Sequence, residues 1–113
     1  MAKKAAKKKA KGQANFSGLV ALKLTDPLEI YAQLQICLSK ITGFPINQIR
    51  NGDNLANKFH FTPAGQRALA QNLEACFKAA GHPIPKPLNR DQMEKAKTVG
   101  NVADILNAAF GVL

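Results

Sequence analysis

Carboxylates are scarce in this chain. Seven Asp and Glu stand against sixteen Lys and Arg in 113 residues, a net charge of +9 at neutral pH. Serine is scarcer still, with Ser17 and Ser39 alone. The two histidines, His60 and His82, are 22 positions apart and the two cysteines, Cys37 and Cys76, are 39 apart, so neither pair has the short spacing of a metal site. No glycine-rich phosphate loop occurs. Asp91 and Glu94, three residues apart, sit beside Lys95 and Lys97 and read as a solvated charge cluster rather than an acid–base pair. These absences leave no catalytic constellation, and neither an enzyme nor a cofactor is expected.

Long apolar runs are also missing. No stretch approaches the length of a membrane span. The apolar residues from Phe16 to Leu22 are interrupted at Lys23 and lack a convincing cleavage site, so no secretory leader is expected. Two thiols without an export signal are then expected to be reduced and buried in a cytoplasmic protein.

What is present is enough apolar material, 46% of residues, for one small core. Ahead of it, residues 1–14 alternate Lys with Ala and Gly. Lys3, Lys4, Lys7, Lys8, Lys9 and Lys11 supply six of the sixteen cations, and no branched or aromatic side chain lies among them. Such a composition cannot bury enough surface to offset the entropy of ordering, so a disordered tail is expected before a single helical domain over residues 15–113.

Inside that domain the apolar spacing is helical throughout. Asp26-Pro27 pairs an N-cap with a first-turn proline, and Ile30, Leu34, Cys37, Leu38 and Ile41 follow on one face. Gly43 and Pro45 end that helix. A loop rich in Asn, Gly and Asp follows, with Ile49 and Leu55 as apolar anchors. Thr62-Pro63 repeats the capping pattern for a second long helix, whose buried stripe is Leu69, Leu73, Cys76 and Phe77 and which runs to Gly81. Pro83, Pro85 and Pro87 impose an extended link. Asn89 and Gln92 have the spacing of a capping box for a short helix carrying Met93. Thr98 caps a last helix with Val99, Val102, Ile105, Leu106, Ala109 and Phe110 on its core face. The expected fold is all-α, a small bundle of three main helices and a short third one.

The order of these elements, with particular positions, resembles the acyl carrier protein family. Thr42-Gly43, Ile49 and Leu55 stand where family members have a Leu-Gly pair, a branched residue six positions on and a further apolar residue. Asn57-Lys58-Phe59-His60-Phe61-Thr62-Pro63-Ala64 then occupies the place of the family's Asp-Leu-Gly-x-Asp-Ser-Leu stretch. Leu69, Leu73 and Phe77 lie six, ten and fourteen residues beyond Pro63, as the family's second helix has them. Ile84-Pro85 and Thr98-Val99 through Ile105-Leu106 continue the likeness, which covers roughly residues 28–107. It implies a four-helix bundle of acyl carrier type.

At the decisive position the chain departs from the family. The serine that would carry phosphopantetheine is replaced by Pro63, flanked by Thr62 and Ala64, so no arm can be attached there. Thr62 offers a hydroxyl one residue early, but as an N-cap it is expected to accept a backbone N–H. The second helix also carries Arg67, Lys78 and a single acid, Glu74, where carriers present carboxylates to basic enzymes. His60 reads as an exposed loop residue. Phe59 is expected in the core, whereas Phe61 is expected at the surface as a partner contact. Gly65 either opens the helix start to close approach or marks a tight contact with the preceding loop.

These departures favour a non-catalytic binding or adaptor module whose candidate contacts are Phe61, Gly65, Arg67 and Lys78, with an acidic protein among the possible partners. One alternative is a nucleic-acid-associated protein, in which the six tail lysines hold a phosphate backbone electrostatically without base stacking. A divergent carrier using Thr62 or His60 is the other.

Overall fold

The structure, a computed structural model, describes residues 24–112. The basic tail over residues 1–14, including its six lysines, lies outside the described residues, as do residues 15–23. Among the described residues there are five α-helices, one 3-10 turn and no strand: α1 (Pro27–Thr42), α2 (Leu55–Phe59), α3 (Pro63–Ala79), α4 (Arg90–Lys95) and α5 (Val99–Phe110), with the 3-10 turn over Ile46–Gln48. None is long and apolar enough to cross a membrane.

The helix starts follow the capping chemistry in the sequence. Asp26 accepts the Leu28 N–H at 2.9 Å ahead of Pro27. Asn89 accepts the Gln92 N–H at 3.0 Å. At α5 the exchange is reciprocal: Thr98 Oγ1 accepts the Asn101 N–H at 3.1 Å, and Asn101 Oδ1 accepts the N–H groups of Lys97 and Thr98. The ends are equally local. Gly43 closes α1 in the left-handed region at φ 85°, where an L side chain would be strained. The last helical residue of α3 is Ala79, two before the expected end, and the chain turns through Gly81 at φ 88°. The N–H groups of Gly81 and His82 there satisfy the carbonyls of Lys78 and Phe77.

One helix was not anticipated. The Asn- and Gly-rich loop contains α2, a helix of five residues capped by Asn54, whose Oδ1 accepts the Asn57 N–H at 2.8 Å. Leu55 and Phe59, four residues apart, both drive into the core from it. The helix stops at His60, the only non-glycine residue with positive φ (61°) among the described residues. Its start is pinned to the start of α5: the Leu55 N–H donates to Lys97 O at 2.9 Å, Val99 N–H to Asp53 O at 3.0 Å and Gly100 N–H to Asn51 O at 2.8 Å.

The core sits where α1, α3 and α5 converge. Ile30, Leu34 and Leu38 of α1, Leu69, Leu73 and Phe77 of α3 and Val102, Leu106 and Phe110 of α5 are buried together, with Phe77 and Phe110 rings 5.8 Å apart. The short α4 packs on α3 through Met93. It is also held by a polar clamp. Gln66, buried on α3, donates from Nε2 to the carbonyls of Met93 (2.8 Å), Glu94 (3.1 Å) and Ala96 (2.8 Å), which satisfies the unpaired C-terminal end of α4.

The expectation of two reduced thiols is corrected. Cys37 and Cys76 form a disulfide between α1 and α3, with their Cα atoms 5.9 Å apart. The pairing arises because both cysteines lie on inward faces at the same level of two packed helices, a proximity that 39 residues of intervening sequence conceals. The reducing environment on which the cytoplasmic expectation leaned is therefore not a property of this pair.

Candidate binding surface at the start of α3

The start of α3 is built by its own first turn. Thr62, in extended backbone, accepts the Gly65 N–H on Oγ1 at 3.0 Å, and its carbonyl accepts the Gln66 N–H at 2.8 Å. Pro63 takes the first helical position, where a missing N–H has no consequence. Pro63 and Ala64 are exposed and present only methylene and methyl groups. Gly65 is packed against this turn: a Cβ there would lie 3.2 Å from Thr62 Oγ1 and 3.7 Å from Phe61 Cδ1. A side chain there would crowd the capping hydroxyl by a few tenths of an ångström.

Phe61 is not the exposed ring expected. It is half-buried against the core, 6.2 Å from the Phe59 ring, which in turn packs edge-on to Phe44 at 5.1 Å. The aromatic series runs inward because α2 turns the chain: Phe59 ends the helix on its buried side and Phe61, two residues on, lies over it. His60 between them is exposed.

A groove of about 290 Å³ opens beside this turn, between α2 and the end of α4. Asn54, Asn57, Phe61 and Pro63 form one side, and Lys95 and Lys97 the other. Its shape follows from the Gln66 clamp, which draws the chain after α4 over the first turn of α3. The surface mixes amide groups, one aromatic edge, the Glu94 carboxylate and two exposed ammonium groups.

Asp91 and Glu94 are exposed, as the solvated cluster expected of them requires, and they also pair with Arg67. Arg67 Nη1 lies 2.6 Å from Asp91 Oδ1 and 3.2 Å from Glu94 Oε1, which ties α3 to α4 along the outer surface. Its hydrogen bond holds the Asp91 carboxyl below the usual carboxylate range. Arg67 is thus engaged within the chain, and Lys95 and Lys97 are the cations left beside the groove. The α3 carboxylate is engaged as well: Glu74 accepts both guanidinium nitrogens of Arg90, at 2.7 and 3.0 Å, and the Leu88 N–H at 2.8 Å.

Lys78 does not join the other predicted contacts. Fifteen residues beyond Pro63, it lies about 22 Å along the helix axis, where it lines a separate depression of about 250 Å³ with Glu74, Ile84 and Lys86. Phe61, Gly65 and Arg67 thus lie near the start of α3 and Lys78 near its end, whereas Gln66, Lys95 and Lys97 line the groove without having been among the expected contacts. The signal for Gln66 was available, since it falls on the buried stripe three residues before Leu69. A further open depression, about 400 Å³, lies between α4 and α5. Among the described residues no group of three or more His, Cys, Asp or Glu side chains is placed to hold a metal ion. No protein-family model, curated protein or solved structure matches the chain.

Proposed function

We propose that this chain is a non-catalytic binding module on an acyl-carrier-type bundle, which engages a protein partner through the start of α3 and the loop before it and carries no phosphopantetheine. The observation that supports this reading most is the first turn of α3. The position corresponding to the family's modified serine is Pro63, which has no hydroxyl, and the neighbouring Thr62 Oγ1 is engaged as the helix cap by the Gly65 N–H. The helix start is kept while its reactive group is gone. The acidic docking face is absent too, since Glu74 is bound by Arg90 and no other carboxylate lies on α3. Lys95 and Lys97 outnumber the one carboxylate of the groove, Glu94, which is already paired with Arg67, and this favours an acidic partner over the basic surfaces that recognise carriers.

Coexpression with a broad-specificity phosphopantetheinyl transferase tests this reading by intact mass. An unmodified chain is expected; a gain of one phosphopantetheine ends it. Replacing Lys95 and Lys97 by Glu should then abolish capture of any partner that binds through the groove.

A second reading rests on the six lysines among the first eleven residues, which would hold nucleic acid through counterion release. It predicts binding to mixed-sequence DNA that weakens steeply with salt and disappears when residues 1–13 are deleted. Retention of binding after the deletion would count against it.

A further inference from the structure

The disulfide between α1 and α3 is asymmetric in burial. Cys37 lies wholly inside, on the stripe of Ile30, Leu34 and Leu38, whereas Cys76 is only partly buried, in the last two turns of α3. Thiol–disulfide exchange is an in-line displacement, so the incoming thiolate must approach the attacked sulfur from the side opposite its partner. Cys37 has no exposed surface, so a thiolate that attacks its sulfur must reach a wholly buried residue. Cys76 is the partly buried member of the pair, so a thiolate that attacks its sulfur has less structure to displace.

The leaving group is also provided for. Gln33, one helical turn before Cys37 on α1, places its amide Nε2 3.5 Å from Cys37 Sγ. An N–H donor directed at that sulfur stabilises the negative charge that develops there as the S–S bond breaks, and a better leaving thiolate accelerates exchange. The wholly buried cysteine has a donor, and its partner is the one that keeps exposed surface.

We propose that Cys76 is a thiol-exchange site, at which a small thiol of the glutathione class forms a mixed disulfide while Cys37 is released as the buried leaving group. In the step, the external thiolate attacks Cys76 Sγ, the new S–S bond forms, the Cys37–Cys76 bond breaks and its electron pair leaves on Cys37 Sγ, which then takes a proton from water. A second equivalent of the same thiol displaces Cys76 Sγ from the mixed disulfide. The net result is two protein thiols and one oxidised small-molecule disulfide, a two-electron exchange in which the small thiol is the reductant. Leu34 and Leu38 against Leu69, Leu73 and Phe77 still join α1 to α3, so the chain stays folded while its covalent tie is opened.

The test is site mapping on the full-length oxidised chain. It is exposed to reduced glutathione under native conditions, quenched in acid and digested without reduction. Glutathione is expected on the Cys76 peptide, with a free thiol at Cys37, in at least about tenfold excess over the reverse arrangement. Adduct on Cys37, an even distribution, or no adduct while a urea-unfolded control exchanges fully would each overturn the proposal. Single variants give an independent reading. Cys76 in C37S should react with iodoacetamide at least about ten times faster than Cys37 in C76S, and equal rates in two folded variants would also overturn it. Should either variant fail to fold by circular dichroism, the mapping on the unaltered chain decides alone.

Discussion

Glu74 on α3 and Arg90 at the first position of α4 meet fork to fork, with Nη1 2.7 Å from Oε2 and Nη2 3.0 Å from Oε1. The same carboxylate accepts the Leu88 N–H, so one side chain fixes both the guanidinium and the backbone that leads into α4. The Arg90 hydrogen bonds, reinforced by the Leu88 N–H, hold the Glu74 carboxyl below its ordinary value of 4.5. A carboxyl depressed by folding contributes stability that is complete above the unfolded value and is lost as pH falls through the folded one. Glu74→Gln is therefore expected to cost about 1–2 kcal/mol at pH 7 in urea denaturation. The gap between variant and parent should close as pH falls below about 4.5. Asp53, held down by Lys58, titrates in both proteins and cancels from the difference. A gap that stays constant down to pH 2.5 would show that the pair adds nothing through its charge.

The Gln66 clamp is the second place where one side chain sets the relation of α3 to α4. Its Nε2 meets three carbonyls, those of Met93, Glu94 and Ala96, and the residue is 5% exposed. Gln66→Leu keeps the volume and removes both donors, which takes this partner from the Glu94 and Ala96 carbonyls and leaves Met93 O with the Ala96 N–H alone. A loss of about 2 kcal/mol is expected, together with faster amide exchange over residues 90–96 and little change in α1. Gln66→Glu should be worse, because a carboxylate would face the same carbonyls. A Gln66→Leu variant within about 0.5 kcal/mol of the parent would mean that water replaces the clamp.

The five helix starts differ in how openly the sequence announced them. Asp26-Pro27, Thr62-Pro63, Asn89 and Thr98 each cap a helix within one residue of the expected place, because capping is a local bond between a side chain and an N–H two or three residues on. Helix α2 escaped because five residues are too few for an apolar period, and its Asn54 cap is one of several Asn residues in the loop. The relations between elements were the least legible. The Cys37–Cys76 bond, the Gln66 clamp and the Arg67 and Arg90 ion pairs join residues 16 to 39 positions apart, whose approach depends on how the helices pack rather than on any spacing in the chain. The groove inherits this. Its Phe61 and Pro63 side could be read from the start of α3, whereas Lys95 and Lys97 reach it only because Gln66 draws the end of α4 across.

The disulfide closes a loop of about 39 residues between helices that are also joined by a common core. Loop-closure entropy for that length corresponds to about 4 kcal/mol of stabilisation through the unfolded chain. Replacing Cys37 and Cys76 together by Ala should lower the urea midpoint accordingly while leaving far-ultraviolet circular dichroism unchanged at zero denaturant. Excess dithiothreitol should shift the parent chain toward the same midpoint and leave the double variant where it is. If the double variant lost its helical signal at once, the covalent tie rather than the core would be what holds α1 to α3.

Thr62 separates capping from chemistry at the helix start. Its Oγ1 accepts the Gly65 N–H at 3.0 Å, and Val keeps the shape of threonine without the acceptor. Thr62→Val is expected to cost about 1 kcal/mol, the usual value of an N-cap, with no change in intact mass and no change in partner capture at temperatures where both proteins are folded. The further variant Pro63→Ser restores a hydroxyl at the position that the acyl carrier resemblance marks. If that resemblance extended only to the scaffold, P63S would remain unmodified by a phosphopantetheinyl transferase, because α3 carries no free carboxylate for the enzyme to dock on. Adding acids on the exposed positions of α3, Gln71→Glu and Asn72→Asp, should then make P63S a substrate. Modification of P63S alone would mean that the missing hydroxyl, and not the missing acidic surface, is what separates this chain from a carrier.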